Sequence, residues 1–469
     1  MGRLVVVSNR LADPRKAAAG GLAVALGETL KRTGGLWFGW SGKIVEDGTP
    51  GEGELHVHQA GSVTLAELDL SKEDHDSYYR GYANGVLWPV FHYRLDLANF
   101  ESGHLGGYRR VNQLFARKLY PLLKPDDIIW IHDYHLIPLA AELRAMGCEN
   151  RIGFFLHIPL PPPPILAAIP SHEWLIRAMF AYDLVGFQSH LDVQHFAHYV
   201  KAEATAESVG ANQFRAFNST VQAEAFPIGI DVADFQRLGR AREARETYET
   251  TVKEYSRRRL LIGVDRLDYS KGLPQRIRAF RELLLAYPEN RHSATLLQVA
   301  SPSREDVDAY NDIQHELESL CGSINGDFGD FDWMPIRYIH RTVARKRLPG
   351  LYRACAVALV TPLRDGMNLV AKEFVAAQDE EDPGVLVLSR FAGAAEQMPQ
   401  ALMVNPYDTH GTAQVIQQAL QMSLGERRER HAALLEGIRK YDVHWWCREF
   451  LRTLGEAKQP PSATEQNAA

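Results

Sequence analysis

The segment from Thr361 to Glu373 carries residues whose types and spacing suit the binding of a phosphorylated ligand. It follows the apolar run 354–360, which is typical of a strand buried on both faces of a parallel sheet. Apolar residues then recur at helical spacing from Leu369, so residues 365–368 should lie at a helix N-terminus. Free backbone N–H groups favour an anion such as a diphosphate there. An ordinary strand–loop–helix junction with an aspartate N-cap would give the same pattern.

Three residues of this segment have separate expected tasks. Glu373 falls about one turn inside the helix, where a carboxylate can accept two hydrogen bonds from the vicinal hydroxyls of a ribose. Asp365, at the apex of the loop, can orient a sugar hydroxyl, and Gly366 lets the backbone come close to a ligand. The segment therefore predicts a nucleotide-sugar site.

A second loop, from Arg266 to Gly272, places two cations after another expected strand. Arg266 can chelate an oxyanion through two parallel hydrogen bonds, and Lys271 can act as a point charge. A leaving nucleoside diphosphate gains negative charge as its bond to a sugar breaks, so fixed cations stabilise the transition state more than the ground state. Surface pairs with Asp265 or Asp268 are an equally good interpretation of this loop taken alone.

Metal-dependent sugar-nucleotide enzymes hold the diphosphate through an Asp-x-Asp pair, and three such triplets occur, at 74–76, 306–308 and 330–332. The chain has 58 acidic residues, so such triplets arise easily by chance. The first two also lie in polar, helical contexts with no strand leading directly into them. The sequence therefore gives little support for a metal site.

In the first half of the chain, polar residues follow expected strands. Arg10 ends the first strand, and the clusters 130–135 and 157–159 follow two others. The glycine pair Gly20–Gly21 allows close approach of an anion, although turn formation is its commoner use. Two strand-end clusters in one half favour a ligand site over two isolated packed histidines.

Aromatic and cationic side chains elsewhere fit a sugar phosphate. Tyr79 and Trp88 can cover the apolar face of a sugar ring, and Arg304 can grip a phosphate. Taken alone, Tyr79 and Trp88 are more often core residues.

The elements that must position these loops alternate between strands and helices. In the first half, buried strands are expected at 3–7, 128–131, 152–157, 184–187 and 225–228. Helical stretches such as 21–31 and 108–123 separate them, and a charged helical run over 236–259 leads into a second series. Its strands are expected at 260–264, 295–300, 336–339, 357–361, 385–388 and 402–404. This alternation is typical of doubly wound sheets.

With 469 residues, 45% of them hydrophobic, the chain exceeds what one core usually supports. We therefore expect an α/β protein with two doubly wound (Rossmann-like) domains, divided near residues 230–236 and facing each other across a cleft lined by strand-end loops. An aromatic helix at 441–457 is expected to pack back onto the N-terminal half. The polar remainder, 458–469, is expected to be disordered.

Bulk properties narrow the class of partner. The formal net charge of −6 does not favour binding to nucleic acid or to an anionic membrane, both of which attract basic proteins. No apolar run approaches the length of a membrane span. The N-terminus lacks the apolar core of a signal peptide. The four cysteines are far apart and read as reduced thiols of a cytoplasmic protein.

Taken together, these motifs resemble those of the trehalose-6-phosphate synthases, which are retaining glycosyltransferases of family 20 with the GT-B architecture. The resemblance runs from residue 3 to about residue 450, and the motifs that carry it, in the family's order, lie at 8–10, 20–22, 130–135, 157–159, 266–272 and 361–373. It implies transfer of glucose from UDP-glucose to glucose 6-phosphate, with retention and without a metal or other cofactor. It also implies same-face substitution, in which the departing phosphate oxygen takes the acceptor proton. Segments 46–63 and 201–225 have no recognisable match.

The resemblance also assigns roles, residue by residue. Catalytic roles would fall on Asp133, His157, Arg266, Lys271 and Asp365. The acceptor, glucose 6-phosphate, would be bound by Arg10, Tyr79, Trp88, Asp133 and Arg304. The donor would be bound by Gly21, His157, Arg266, Lys271, Asp365, Gly366, Met367, Asn368, Leu369, Val370 and Glu373. Residues 1–232 would thus form the acceptor domain and residues 233–440 the nucleotide-sugar domain.

Other interpretations stay open. A related synthase could use another phosphorylated acceptor, such as glycerol 3-phosphate, or ADP- or GDP-glucose as donor. A catalytically silent sugar-phosphate sensor would have lost charges at the donor site, yet Arg266, Lys271, Asp365 and Glu373 are all present. A pyridoxal-dependent phosphorylase of similar architecture would need a cofactor lysine in a suitable pocket. The sequence is compatible with a homo-oligomer.

Overall fold

The computed structural model of the chain describes residues 2–11, 26–27, 29–30, 33–48, 53–303 and 308–457. These residues divide into two compact units. The first comprises the described residues of Met1–Pro227 and of His444–Ala469, and the second comprises those of Ile228–Val443. The chain passes from the first unit to the second after Pro227, so the expected boundary at 230–236 falls within the second unit.

The first unit is built on a ten-stranded sheet. Its strands are β1 (Leu4–Arg10), β2 (Gly35–Val45), β3 (Leu55–Ala60), β4 (Val63–Ser71), β5 (Ile128–His132), β6 (Arg151–Phe155), β7 (Leu184–Phe187), β8 (Glu207–Gly210), β9 (Gln213–Ala216) and β10 (Ser219–Ala225). They lie in the order β3-β4-β2-β1-β5-β6-β7-β10-β9-β8. The strands from β4 to β10 in this order pair in parallel, whereas β3 and the β9–β8 pair join the two edges antiparallel.

Helices flank this sheet. They are Lys72–Asp74, Trp88–Phe91, Ser102–Leu119, Leu139–Ala145, Pro163–Leu166, His172–Met179, His190–Ala202 and the C-terminal Val443–Glu456. A π-helical stretch, His75–Leu87, carries Tyr79 and leads directly into Trp88. Short 3-10 turns lie at Leu95–Leu97, Tyr120–Leu122 and Tyr134–Leu136.

The second unit has a six-stranded, wholly parallel sheet. Its strands are β11 (Arg259–Arg266), β12 (Ala294–Ser301), β13 (Ile336–Ile339), β14 (Val357–Val360), β15 (Val385–Ser389) and β16 (Leu402–Val404), in the order β13-β12-β11-β14-β15-β16. The helices are Val232–Gly239, Arg242–Glu254, Leu273–Ala286, Asp308–Phe328, Leu348–Arg353, Leu369–Ala377, Thr409–Gln421 and Leu424–Lys440, with 3-10 turns at Tyr269–Lys271, Pro288–Asn290 and Gly393–Glu396. Apolar side chains of the strands and helices form one buried core.

The prediction of an α/β fold with doubly wound sheets is confirmed, and one strand prediction is wrong. The chain leaves the first sheet after Ala225, so the strand expected at 225–228 instead occupies Ser219–Ala225. Pro227 has no N–H to offer a sheet ladder, and Phe226 packs its ring 5.2 Å from that of Phe450. The helical run expected at 236–259 is two helices, Val232–Gly239 and Arg242–Glu254, and Arg259 already belongs to β11.

The C-terminal helix packs on the first sheet through two aromatic residues. The ring of Trp446 lies 4.7 Å from that of Trp130, and the ring of Phe450 stacks on Trp130 at 4.5 Å. Gly153 makes room for it, because a Cβ there would lie 2.8 Å from the Phe450 ring. No helix in the described part of the chain has the length and apolar character that a bilayer crossing requires.

Candidate active site

The loop between β14 and the helix Leu369–Ala377 has the predicted form. The helix begins directly after Asn368, whose φ of +80° turns the chain into it. The backbone N–H of Asp365 donates to the Phe391 carbonyl at 3.2 Å, and the Asp365 carbonyl accepts from Gly393 N–H at 3.1 Å. The loop is therefore held in place by a neighbouring segment of the second unit.

Gly393 is a residue of this site that sequence reasoning missed. A Cβ at Gly393 would lie 1.8 Å from the carbonyl oxygen of Gly366, so any side chain would displace the loop. The prediction that Gly366 permits close backbone approach thus has a counterpart 27 positions later in the chain. No local signal marks Gly393, because only the tertiary fold brings the two segments together.

Lys271 and Asp365 form an ion pair. Lys271 Nζ lies 2.6 Å from Asp365 Oδ2, and their side chains are only 12% and 13% exposed. Asn368 Nδ2 donates to the same carboxylate oxygen at 3.0 Å. The structure thus joins two residues that the sequence assigned to separate tasks, and it fixes both on adjacent strand-end loops.

Arg266 is the more accessible cation of the donor loops, with 46% of its side chain exposed. Its guanidinium lies 3.8 Å from the buried Asp268 carboxylate and reaches Ser303 Oγ at 3.4 Å. Asp268 in turn accepts hydrogen bonds from the N–H and the hydroxyl of Ser270, at 2.9 and 2.8 Å. Of the two acidic partners considered for this loop, Asp268 makes a long contact with Arg266, whereas Asp265 binds Arg276.

Glu373 lies one turn inside the helix, as expected. Burial raises the pKa of Glu373 to about 7, and the positive charge of Arg345 opposes that rise. The Tyr352 hydroxyl donates to Glu373 Oε2 at 3.5 Å. In its ionised form this carboxylate can accept hydrogen bonds from hydroxyl donors.

In the first unit, Arg10 and Tyr79 lie beside aromatic rings. The Arg10 guanidinium sits 5.7 Å from the Trp40 ring centre, and Tyr79 packs 5.8 Å from the same ring. Tyr79 also stacks on His135, with ring centres 5.7 Å apart and planes 12° apart. These contacts fix the direction of a half-buried Tyr79 and an exposed Arg10.

Trp88 is more deeply placed than Tyr79, with 6% of its surface exposed. Its ring packs 4.2 Å from His92 and 5.7 Å from Tyr134. Most of the indole therefore contacts protein, and only a small part of it is exposed.

Asp133 and His157 meet at the ends of β5 and β6. The backbone N–H of His157 donates to Asp133 Oδ1 at 3.2 Å, and Asp133 has an unusual φ of +76°. His132 Nδ1 lies 3.1 Å from His157 Nε2, so one imidazole donates to the other. Burial lowers the pKa of His157 to about 3, and burial followed by the nearby His157 places the pKa of His132 well below its usual range. Both imidazoles are therefore neutral at pH 7.

Two predicted site residues, Gly21 and Arg304, lie outside the described residues. Met367 is buried and, like Leu369 and Val370 at the start of the helix, belongs to the loop held by Gly393.

The two Asp-x-Asp triplets that the structure describes, at 74–76 and 330–332, do not lie at the strand ends that carry the donor loops. Asp74 pairs with Arg110 at 2.7 Å in the first unit. Asp330 and Asp332 lie with His292, their ligand atoms within 4.8 Å of one another and all three residues exposed. These residues precede β13 and β12, at the opposite edge of the sheet from the donor loops. Of the triplet 306–308, no side chain falls within the described part.

The sequence model of Glycosyltransferase family 20 matches residues 7–456. The chain belongs to glycosyltransferase family 20. It is 50% identical over 458 residues to the trehalose-6-phosphate synthase of Sinorhizobium fredii (strain NBRC 101917 / NGR234), covering 97% of this chain and 98% of that protein. It is 47% identical to the trehalose-6-phosphate synthase of Enterobacter sp. (strain 638), over 100% of this chain and 98% of that protein.

Solved structures agree with this family membership. The α,α-trehalose-phosphate synthase (UDP-forming) of Burkholderia xenovorans, in complex with glucose-6-phosphate, superposes with a TM-score of 0.93 at 47% identity, covering 97% of this chain and 100% of that one. A structure from E. coli bound with UDP-2-fluoro glucose gives a TM-score of 0.92 at 46% identity, covering 97% and 99%.

Proposed function

We propose that this family 20 chain transfers glucose from UDP-glucose to glucose 6-phosphate, giving α,α-trehalose 6-phosphate and UDP. Relatives that match this chain over nearly their full length support this proposal, because they are trehalose-6-phosphate synthases. One similar solved structure is a complex with glucose-6-phosphate. The observation that carries the proposal is the pair of strand-end loops in the second unit. They combine an accessible Arg266 with the Lys271–Asp365 pair at a helix N-terminus.

The donor role follows from the charges of these loops. The diphosphate gains negative charge as the bond between glucose and UDP breaks. Arg266 has an exposed guanidinium that can bind the diphosphate through two parallel hydrogen bonds. Lys271 is already held by Asp365, so its ammonium is fixed before the donor arrives. Asp365 is proposed to orient a hydroxyl of the transferred glucose, and Glu373 to accept hydrogen bonds from the ribose.

The acceptor role follows from the rings and the cation of the first unit. Arg10 offers an exposed guanidinium to the 6-phosphate, and Tyr79 offers a ring whose plane is fixed by His135. The family resemblance adds three residues to the proposed acceptor site: Trp88, Asp133 and Arg304, the last of which lies outside the described residues.

His157 is proposed to contact the transferred glucose as a neutral hydrogen-bonding group. Its depressed pKa and its contact with His132 support this role over that of a cationic acid. Asp133 is proposed to orient the acceptor. Retention by same-face substitution, with the departing phosphate oxygen taking the acceptor proton, and independence from metals are proposed from the resemblance to the family.

The protein is proposed to act in the cytoplasm. Its four cysteines are buried free thiols, which suits a reducing compartment.

The deciding experiment measures nucleoside diphosphate release from UDP-, ADP- and GDP-glucose in EDTA, with glucose 6-phosphate, with glycerol 3-phosphate and without acceptor, and identifies the sugar product by NMR. We expect release from UDP-glucose only with glucose 6-phosphate, and an α,α-linked product. Release with glycerol 3-phosphate but not with glucose 6-phosphate would show that the acceptor is glycerol 3-phosphate. Release from no donor–acceptor pair would contradict the proposed enzymatic activity. Activity lost in EDTA and restored by a divalent metal would overturn metal independence.

A further inference from the structure

Arg276 is a fully buried cation that none of the roles above uses. It lies on the helix Leu273–Ala286, behind the donor loops of the second unit, and its side chain is 0% exposed. A buried arginine without a compensating carboxylate would be very costly, so its partners indicate what it is built to hold.

Its guanidinium joins three strands of the sheet, at the carboxyl ends of β11 and β14 and in the middle of β12. Nη1 lies 2.5 Å from Asp265 Oδ2 in β11 and 3.0 Å from Gln298 Oε1 in β12. Nε donates to Thr361 Oγ1, just after β14, at 3.0 Å. Those strand ends carry the two donor loops, because Arg266 directly follows Asp265 and Asp365 comes four residues after Thr361.

The backbone beside Arg276 is adapted to it. Gly263 lies in the middle of β11, and a Cβ there would come 2.3 Å from Arg276 Nη1 and 2.6 Å from Gln298 Oε1. Glycine weakens a strand interior, so its presence here indicates that the approach of the guanidinium matters more than the strand's own stability.

The two donor loops also touch each other above Arg276. The Ser270 carbonyl accepts from Leu363 N–H at 2.7 Å, and Gly272 sits so close to Thr361 that a Cβ would lie 2.4 Å from its carbonyl oxygen. A shift of either strand end would therefore move Arg266, Lys271 and Asp365 relative to one another.

We propose that Arg276 is a positioning residue for glycosyl transfer, one that fixes the Arg266 loop through Asp265 and the Asp365 loop through Thr361. This inference rests on the proposed donor role of those loops. The planar guanidinium suits the task, because its fixed geometry reaches several acceptors at once, which the single ammonium of a lysine cannot do.

The test uses the full-length enzyme with Arg276→Lys, Arg276→Met and Thr361→Val. Arg278→Met is the matched control, because Arg278 is an exposed arginine of the same helix that pairs with Glu316. For each variant we would measure the melting temperature, kcat, KM for both substrates, and the Kd of UDP by calorimetry. The Kd does not require turnover, so a failure of the proposed reaction is distinguishable from a failure of this inference.

We expect Thr361→Val and Arg276→Lys to fold, to lower kcat about tenfold or more, and to weaken UDP binding, with KM for glucose 6-phosphate within about twofold of the wild type. Arg276→Lys keeps a charge beside Asp265, so its melting temperature should recover most of what Arg276→Met loses, while donor binding should not recover. A merely structural role predicts the reverse: variants that are folded at the assay temperature would keep the kcat and UDP affinity of the wild type. That result in Thr361→Val and Arg276→Lys would overturn the proposal.

Discussion

The two sets of candidate site residues differ in how they are held. In the second unit, ion pairs hold the donor loops: Lys271 pairs with Asp365, both largely buried, and Arg276 pairs with Asp265, both buried. In the first unit, stacked rings and neutral imidazoles hold the strand ends, as with Tyr79 on His135 and His132 against His157. This difference matches the proposed chemistry, since charge develops on the leaving diphosphate, while the acceptor must be recognised by the shape of its sugar and one phosphate.

The largest effect is expected for Arg266→Ala, which tests this difference between the two sets of residues. If the accessible cation of the donor loops stabilises charge in the transition state, kcat should fall by roughly 10²–10³. Arg281→Ala is the control, because Arg281 is similarly exposed (44%) and belongs to the same unit. Turnover unchanged in Arg266→Ala would remove this residue from the mechanism and leave the donor loops with structural pairs only.

A second prediction tests Glu373, a carboxyl group of the donor set whose pKa is raised by burial. Folded Glu373 keeps its proton up to about pH 7, whereas the unfolded group loses it near 4.5. The folded state therefore binds more protons between these values, so the stability that this group contributes is full below pH 4.5 and is lost as the pH rises through 7.

Glu373→Gln should consequently be more stable than the wild type at pH 8, by at most about 3 kcal/mol, with the difference vanishing near pH 4.5. Urea unfolding at several pH values measures it, with the exposed Glu436→Gln as control. KM for UDP-glucose should rise in the wild type as the pH falls below 7, but not in the variant. A stability difference between Glu373→Gln and the wild type that does not change with pH would contradict the raised pKa of Glu373.

The smallest expected effect lies in the first unit. Arg10→Ala should raise KM for glucose 6-phosphate roughly tenfold to thirtyfold, which corresponds to the loss of about one charged hydrogen bond. KM for UDP-glucose should stay unchanged, and Arg117→Ala, an exposed arginine of the helix Ser102–Leu119, should change neither value. Equal weakening of both substrates would contradict the assignment of Arg10 to the acceptor.

The two sheets also show where sequence patterns succeed. Each strand of the second sheet was predictable to within about two residues, because a parallel strand buried on both faces reads as an apolar run. The edges of the first sheet were not predicted. Segments 46–63 and 201–225, which matched no motif, contain its antiparallel edge strands, such as the wholly exposed Glu207–Gly210. An edge strand lacks the apolar run. The interior strand β2 was not predicted either, because its glycines argue against a strand on pattern alone.

Sequence alone determined the α/β class, the strand-end placement of Arg266, Asp365 and the other candidate loops, and the position of Glu373 one turn into its helix. These follow from local periodicity and from the rule that parallel strands end at one edge. Tertiary structure decided which charges pair: Lys271 meets a carboxylate 94 residues away, and Arg276 gathers three strands. It also decided the pKa values of Glu373 and His157, because burial by distant segments, and not residue type, sets the cost of their charged forms.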